Sequence, residues 1–214
     1  KKTPILVGGT GLYFEAITKG MSKIPNINFK SRDEVRKLQK KIGQKKFYEK
    51  LLKLDPLIKN KIEPFDVQRS VRAYEVKKLT KKSIFEWYKL TKSEFKQFQI
   101  FKIFIDTPRE KLLKNISNRV KQMFKNDCIK EVKLFLELKI DHSLSVNKII
   151  GVREIKDYLL GISTMLQAKE LINIKTRQYA KRQVTWARGH MADWNKLHSN
   201  SFTSLSKKIL KAIS

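Results

Sequence analysis

The sequence predicts an α/β protein that is mostly α by residue count, with few parallel strands and an all-helical insertion. Two short apolar runs, Pro4–Val7 and Phe98–Asp106, are each followed at once by a helical pattern, which is typical of strands in a parallel sheet. Between these runs, about 65 residues show helical periodicity only. We therefore expect one α/β core that a helical segment interrupts.

The first half of the chain contains the first predicted strand and the helices of the insertion. The run "PILVGG" reads as a strand, and a helix follows from about Thr10 to Thr18. From Ser31 to about Trp87 the pattern is helical, with Asp66 expected to cap the helix of "DVQRSVRAYEVKKL". A buried apolar strand needs neighbours on both sides, so we interpret the N-terminus as lying inside a larger α/β domain.

The second half of the chain begins with the strand Phe98–Asp106 and a helix that has Pro108 at its first helical position. Further helices are predicted at about 129–138, 147–160 and 163–188, followed by a short strand near Lys196–His198 and a last helix from about Ser204 to Ile213. We therefore predict three segments: 1–27 as the first part of the core, 28–96 as the helical insertion, and 97–214 as the remainder of the core with the C-terminal helices.

The charge of the chain indicates an anionic partner. The 214 residues include 48 Lys and Arg against 20 Asp and Glu, which gives a formal net charge of +28. Such an excess favours nucleic acid, because phosphate neutralisation dominates that kind of binding. An AT-rich coding sequence would also enrich Lys, so the ten Arg residues are the more informative signal.

The cellular setting is predicted from apolar runs and cysteine. No run approaches the ~20 apolar residues that a membrane span needs. The single Cys128 excludes an intrachain disulfide and a cysteine-rich zinc site. We therefore expect a cytoplasmic protein without a membrane partner.

A glycine-rich stretch follows the first predicted strand. Gly8, Gly9, Thr10 and Gly11 stand at a helix N-terminus, where backbone N–H groups and the helix dipole favour an anion. The glycines let a phosphate approach the backbone, and Thr10 adds a hydroxyl group. The pattern is not a Walker A loop, and an ordinary turn is the alternative.

Arg119 lies on an apolar stripe of its predicted helix. Leu112, Ile116, Val120 and Met123 form that stripe, and Arg119 falls about 20° from Leu112. A charged side chain on a core-facing stripe needs an anion or several acceptors, because burying its charge unpaired is very costly. The sequence therefore predicts an anion-binding arginine, with a structural ion pair or a snorkelling side chain as the alternative.

Planar donors occupy the first turns of the helix that Asp66 caps. Gln68 and Arg72 are four residues apart and share a face, so both can reach one ligand, and Arg69 lies beside them. Gln and Arg suit phosphates and base edges. An i+3 ion pair between Arg72 and Glu75 is the alternative.

The stretch "TRQYAKRQVTWARG", Thr176–Gly189, contains no acidic residue. At 100° per residue, one arc of about 140° collects six polar side chains. They are Arg177, Gln178, Lys181, Arg182, Thr185 and Arg188. The other side is apolar except for Gln183. A face made of donors alone suits RNA, and a solvated basic face is the alternative.

The three histidines give no sign of a metal site. His142, His190 and His198 lack the spacing of metal ligands. The sequence therefore predicts no metal ligands in this chain.

Five stretches, in this order, resemble the tRNA dimethylallyltransferases, also called tRNA isopentenyltransferases: "PILVGGTGLYFEAI", "DVQRSVRAYEV", "NRVKQM", "IIGVREIKDYL" and "TRQYAKRQVTWARG". The resemblance covers nearly the whole chain. It implies an incomplete P-loop NTPase-like core with a helical insertion that grips the tRNA anticodon arm. It also implies a monomer that transfers a dimethylallyl group from dimethylallyl diphosphate to N6 of the adenosine 3′-adjacent to the anticodon, with Mg²⁺ present.

The resemblance assigns roles residue by residue. It places Thr10 beside the diphosphate and the reacting nitrogen, which makes Thr10 the catalytic candidate of this chain. It assigns diphosphate binding to Thr10 and Arg119. The tRNA contacts that it implies are Arg32, Gln68, Arg69, Arg72, Lys148, Arg153, Lys181, Arg182 and Arg188.

The sequence also departs from the family pattern. A Walker-type loop and an Asp general base precede, in the family, the segment where this chain begins, and the Mg²⁺ ligands are expected there too. Lys81 and Asp127 stand where the family usually has Gly, and Val152 where it usually has Tyr. We therefore expect the fragment to be inactive alone.

Three alternatives to a competent tRNA-modifying enzyme follow from the resemblance and its departures. The chain could be a non-catalytic tRNA-binding fragment or a decaying gene copy. It could also be an adenylate isopentenyltransferase, which shares the fold but takes a free nucleotide. The long insertion with its Q-R-x-x-R pattern and the basic face at 176–189 favour tRNA over a free nucleotide.

Overall fold

The computed structural model of the protein describes residues 4–141, 144–198 and 202–213. These residues divide into two units. The helical unit is Leu12–Gln99, and the sheet unit is the described part of Lys1–Gly11 and Ile100–Ser214. His142 lies outside the described residues.

The helical unit is built from α-helices and one 3-10 turn. Its elements are α1 (Gly11–Lys19, whose first residue belongs to the sheet unit), α2 (Phe29–Leu54), the 3-10 turn Pro56–Ile58, α3 (Val67–Thr80) and α4 (Ile84–Lys89). Its core contains five apolar side chains with no exposed surface: Phe47, Leu51, Ile58, Ala73 and Val76. The helical pattern of this stretch therefore corresponds to helices that pack around one apolar core.

The helices of this unit begin and end at residues with clear local causes. The Asn28 side chain accepts a hydrogen bond from the Ser31 N–H at 2.8 Å and caps α2. Gly43 interrupts α2 with φ of 77° and ψ of 162°, so two helical stretches join there across a kink. The predicted cap of α3 is confirmed, because Asp66 Oδ1 accepts from the Arg69 N–H at 2.9 Å.

The sheet unit places two parallel strands at the ends of a run of helices. Its elements are β1 (Ile103–Asp106), α5 (Arg109–Lys125), α6 (Cys128–Glu137), the 3-10 turn Ser145–Lys148, α7 (Val152–Leu159), α8 (Met165–His190), β2 (Asn195–His198) and α9 (Phe202–Ile213). Ile103 pairs with Asn195, and Asp106 pairs with His198. Parallel neighbours require a crossover, which the four helices α5 to α8 supply. A second apolar core holds Val120, Cys128, Val132, Ile155 and Ile172.

The strand predicted at Pro4–Val7 is wrong. The structure assigns no strand there, and Ile5 and Val7 are 81% and 90% exposed. A strand exists only when a neighbour accepts and donates its backbone hydrogen bonds, and within the described residues β1 and β2 pair with each other alone. Apolar composition therefore marked a strand-like sequence that has no partner in this part of the chain.

Three further boundaries differ from the sequence predictions. The second strand is shorter than predicted, since residues 98–102 lie outside β1. Pro108 is the N-cap of α5 with an extended backbone (φ −52°, ψ 136°), so Arg109 takes the first helical position. The single helix predicted at 147–160 is instead a 3-10 turn followed by α7. Gly151, with φ of 107°, lies between them. The predicted strand near Lys196–His198 is confirmed as β2.

Two positions that resemble glycine sites of the family have the backbone conformation that favours glycine. Lys81 ends α3 with φ of 60° and ψ of −4°, and Asp127 precedes α6 with φ of 57° and ψ of 25°. Side chains with a Cβ are strained in this left-handed region, whereas glycine adopts it readily. The chain therefore carries local strain at both helix ends.

Replacing Lys81 by glycine is expected to stabilise the protein. Lys81→Gly should raise the free energy of unfolding by about 0.5–1 kcal/mol, because the left-handed strain is relieved. Urea unfolding followed by circular dichroism measures the change. Lys77→Gly, in the interior of the same helix, is the matched control and should lower the free energy of unfolding by about 1 kcal/mol. A loss of stability in both variants would contradict the explanation.

Candidate functional site

Helix α8 presents the six predicted donors on one exposed face. All six side chains of this donor face are exposed: Arg177, Gln178, Lys181, Arg182, Thr185 and Arg188. On the opposite side Ala187 is buried, and Gln183, Val184 and Trp186 are half-buried. The helix therefore packs and presents donors along the two sides that its periodicity predicts.

Tyr179 is the exception on the packing side of α8. It is 45% exposed, and the Arg182 guanidinium lies 5.7 Å from the centre of its ring. Within the described residues, no Asp or Glu forms an ion pair with the cations of the donor face. Four uncompensated positive charges on one side of a helix favour an anionic polymer over a single small anion.

The glycine-rich loop Gly8–Gly11 lies against the packing side of α8. Gln183 Nε2 donates a hydrogen bond to the Gly9 carbonyl oxygen at 2.8 Å. A Cβ on Gly11 would overlap atoms Cε3 and Cζ3 of the Trp186 ring, so only glycine fits there without a shift. Thr10 lies between these two contacts and is exposed. The loop therefore packs on the side of α8 that lies opposite the donor face.

Arg119 is exposed, so the argument from its burial is wrong. The buried residues of α5 are Ile116 and Val120, and Leu112 is only half-buried. The buried side is therefore turned toward Val120, about 100° around the helix from Arg119. The four-residue stripe in the sequence located the apolar side correctly but not its centre. Diphosphate binding by Arg119 stays a prediction.

The donors of α3 lie in the helical unit and are partly neutralised. Arg69 forms an ion pair with Asp66 at 2.9 Å, and 76% of its side chain remains exposed. Arg72 lies 3.5 Å from the carboxylate of Glu75, which is 5% exposed, so the alternative pairing of Arg72 is present. Gln68 is exposed. These pairs leave Arg69 the more accessible of the two arginines.

Tyr88 lies near the arginines of α3. Burial raises the pKa of the Tyr88 hydroxyl, and the nearby charges of Arg72 and Arg69 oppose that shift. Tyr88 is 52% exposed, and its ring meets that of Phe85 edge to face with the ring centres 5.8 Å apart. Sequence reasoning missed this tyrosine, because it belongs to the next helix and no local spacing relates it to Arg72.

Arg32 is half-buried near the start of α2, with an unsatisfied donor. Its Nε atom is buried and has no hydrogen-bond partner among the described residues. A buried guanidinium N–H without an acceptor is uncommon and calls for an explanation. This geometry is compatible with the anionic contact that the resemblance implies for Arg32.

Lys148 and Arg153 lie at a cavity of about 300 Å³ between the 3-10 turn 145–148, α7 and α8. Both side chains are exposed, and Arg153 is 3.8 Å from its nearest carboxylate, Asp157. Glu154 and Lys175 also line this cavity. Three cations around one carboxylate make the cavity suited to an anionic group.

Glu154 is a residue of this cavity that sequence reasoning did not single out. It is 3% exposed, accepts from the Gly151 N–H at 2.7 Å and forms an ion pair with Lys175. Burial alone would raise the pKa of this carboxyl. The hydrogen bonds from Lys175 and from the backbone N–H groups of Glu154 and Gly151 outweigh burial, so the pKa is lowered. The ionised carboxylate therefore joins α7 to α8.

The Mg²⁺ implied by the resemblance has no matching ligand set here. In residues 4–141, 144–198 and 202–213, no group of three His, Cys, Asp or Glu could hold a metal ion. We assign no step of the chemistry to a metal. None of the helices in the described ranges is long and apolar enough to cross a membrane.

Comparison with known sequences identifies similar proteins over nearly the whole chain. The sequence profile of the IPP transferase family matches residues 1–190. The chain is 53% identical over 212 residues to a tRNA dimethylallyltransferase of Pelagibacter ubique (strain HTCC1062), covering 99% of this chain and 68% of that protein. It is 40% identical over 216 residues to a tRNA dimethylallyltransferase of Rickettsia massiliae (strain Mtu5), covering 99% of this chain and 60% of that protein. The chain thus spans 60–68% of the length of these relatives.

Comparison with solved structures gives a consistent fold. The full-length tRNA isopentenylpyrophosphate transferase from Bacillus halodurans matches with a TM-score of 0.57 and 28% identity, over 95% of this chain and 63% of that chain. A eukaryotic dimethylallyltransferase acting on tRNA matches with a TM-score of 0.72 and 23% identity, over 95% of this chain and 54% of that chain, and this match shows the fold alone. The fold-class prediction, an α/β protein that is mostly helical with few parallel strands, is confirmed.

Proposed function

This chain belongs to the IPP transferase family, and from that premise we propose that it serves the transfer of a dimethylallyl group from dimethylallyl diphosphate to N6 of the adenosine 3′-adjacent to a tRNA anticodon. The observation that carries the proposal is the donor face of α8, which is exposed, lacks carboxylate partners in the described chain and lies on the same helix as the loop that bears Thr10. A helix that can hold RNA and position a phosphate loop suits a reaction between these two substrates.

The chemistry requires three changes at the reacting atoms. The adenine N6 forms a bond to the first carbon of the allyl chain, the bond from that carbon to the diphosphate oxygen breaks, and N6 loses a proton. Negative charge grows on the leaving diphosphate, so the Thr10 hydroxyl and the N–H groups of Gly8–Gly11 would stabilise it. Arg119 would add a positive charge. We assign no residue of this chain as the acceptor of the N6 proton.

We assign tRNA binding to nine residues in both units: Arg32, Gln68, Arg69, Arg72, Lys148, Arg153, Lys181, Arg182 and Arg188. The exposed position of Arg69, the unsatisfied Nε of Arg32 and the cavity beside Lys148 and Arg153 support these roles. The same proposal includes Mg²⁺ as the cation of the diphosphate, segment 28–96 as the anticodon-arm insertion, a monomeric state and a cytoplasmic setting.

Arg182→Ala is expected to weaken tRNA binding and its dependence on salt. Log affinity falls as log salt concentration rises, and loss of one phosphate contact should make that line shallower by about one unit of slope. Filter binding of a tRNA anticodon stem-loop at several salt concentrations measures the slope. Arg69→Ala should have a smaller effect, because Asp66 already neutralises part of its charge.

The matched control for Arg182 is Lys133→Ala, which removes one exposed positive charge from α6 without touching the donor face. The control should keep the wild-type slope. If Arg182→Ala behaves like the control, the donor face is a solvated surface and the proposal loses its main support. If the protein binds AMP and does not bind the stem-loop, the adenylate isopentenyltransferase alternative is favoured.

A further inference from the structure

We propose that Gln183 and Trp186 are positioning residues that fix the loop Gly8–Gly11 on α8, so that the helix that binds RNA also sets the position of Thr10. This inference rests on the proposed function, in which α8 contacts tRNA and Thr10 contacts the diphosphate. Neither Gln183 nor Trp186 touches a substrate in this scheme, and both act through the loop.

The Gln183 amide is the polar contact that holds the loop. Residues 4–10 are exposed, and no strand pairing restrains them in the described chain. Within the described part of the sheet unit, one hydrogen bond joins residues 4–9 to a distant part of the chain, and it runs from Gln183 Nε2 to the Gly9 carbonyl oxygen. Because the Gly9 oxygen can only accept, the side chain at position 183 must donate.

Trp186 supplies the matching surface on the other side of Thr10. Its indole occupies the space that a side chain at Gly11 would need. The ring is itself held by His190, which stacks on it with the ring centres 4.3 Å apart and the planes 3° from parallel. Thr10 is therefore bracketed by a hydrogen bond at Gly9 and by a close packing contact at Gly11.

The two positioning residues alternate along α8 with residues of the donor face. Gln183 follows Arg182, and Trp186 follows Thr185. One helical turn thus carries RNA-facing donors on one side and the contacts of the loop on the other. A helical turn moves as a rigid body, so a tRNA that restrains the donor face also restrains the loop. We therefore expect tRNA to slow the motion of the loop in the wild type.

Backbone ¹⁵N relaxation measured by NMR on the 214-residue chain, alone and with a tRNA anticodon stem-loop, tests this inference. Gln183→Glu has the same shape but an ionised carboxylate that cannot donate. The order parameters of the Gly8–Gly11 amides should fall from about 0.85, typical of rigid backbone, to below about 0.6, typical of flexible backbone. Gln183→Lys keeps a donor and should retain most of the order. RNA affinity at fixed salt should stay within roughly twofold for Gln183→Lys.

A second variant separates the role of shape from the hydrogen bond. Gly11→Ala should also lower the order parameters of the loop, because the new methyl group collides with Trp186, while urea unfolding reports whether the sheet unit stays folded. Wild-type order parameters in Gln183→Glu, or an equal loss of order in Gln183→Lys and Gln183→Glu, would overturn the assignment. Failure of the wild type to bind the stem-loop would contradict the proposed function, and the order parameters would still decide whether Gln183 holds the loop.

Discussion

Incubated with tRNA, labelled dimethylallyl diphosphate and Mg²⁺, the 214 residues alone are expected to leave the RNA unlabelled. The adenine N6 is a poor nucleophile, and the resemblance assigns the general base and the Walker-type loop to no stretch of this sequence. Loss of a general base alone lowers a rate by about 10²–10⁴-fold. Loss of most diphosphate ligands would remove what remains, since in the proposed function Thr10 and Arg119 would bind only part of the leaving group.

The control for that assay is a binding measurement on the same protein. The tRNA stem-loop should bind, with the salt dependence of a basic donor face, although no label is transferred. Adding a separately expressed segment that contains a Walker-type loop and the Asp base, taken from one of the similar tRNA dimethylallyltransferases, should restore labelling. Turnover by these residues alone would contradict the placement of the catalytic groups, and absence of RNA binding would contradict the proposed function.

The exposed donor face could be predicted from the sequence because it depends on one helix alone. The 3.6-residue period separates Arg177, Arg182 and Arg188 from Ala187 whatever the helix packs against. The Asp66 cap was predicted for the same reason, since the accepting carboxylate and the donating Arg69 N–H are three residues apart. Local periodicity and local hydrogen bonds survive without knowledge of the rest of the fold.

The incorrect predictions depend on contacts that are distant in sequence. The burial of Arg119 depends on which neighbours cover α5, and these neighbours turn the buried side toward Val120. The strand at Pro4–Val7 depends on a pairing partner, which the described residues do not provide. The packing of the glycine-rich loop against α8 could not be predicted either, because Gly9 and Gln183 are 174 residues apart. An isolated Gln on an apolar helix side was the only signal for it.

The ion pair of Glu154 and Lys175 explains why stability should fall in acid. The lowered pKa of Glu154 means that folding favours its ionised form, whose stabilisation is fully present above the ordinary pKa of a glutamate in the unfolded chain. That stabilisation is lost as pH falls through the lower pKa of the folded state. Acid therefore weakens the link between α7 and α8, and with it the cavity that holds Lys148 and Arg153.

Glu154→Gln is expected to lower the free energy of unfolding at pH 7 by about 2–3 kcal/mol, because it removes the charge that binds Lys175 and weakens the acceptor for the Gly151 N–H. Between pH 7 and acid below pH 4, the variant should lose less stability than the wild type, since it has no carboxylate to protonate at this position. Urea unfolding at both pH values gives the two differences. Glu137→Gln, at an exposed carboxylate near the end of α6, should change stability at pH 7 by less than about 0.5 kcal/mol. An equal acid dependence in wild type and Glu154→Gln would show that the buried pair does not stabilise the sheet unit.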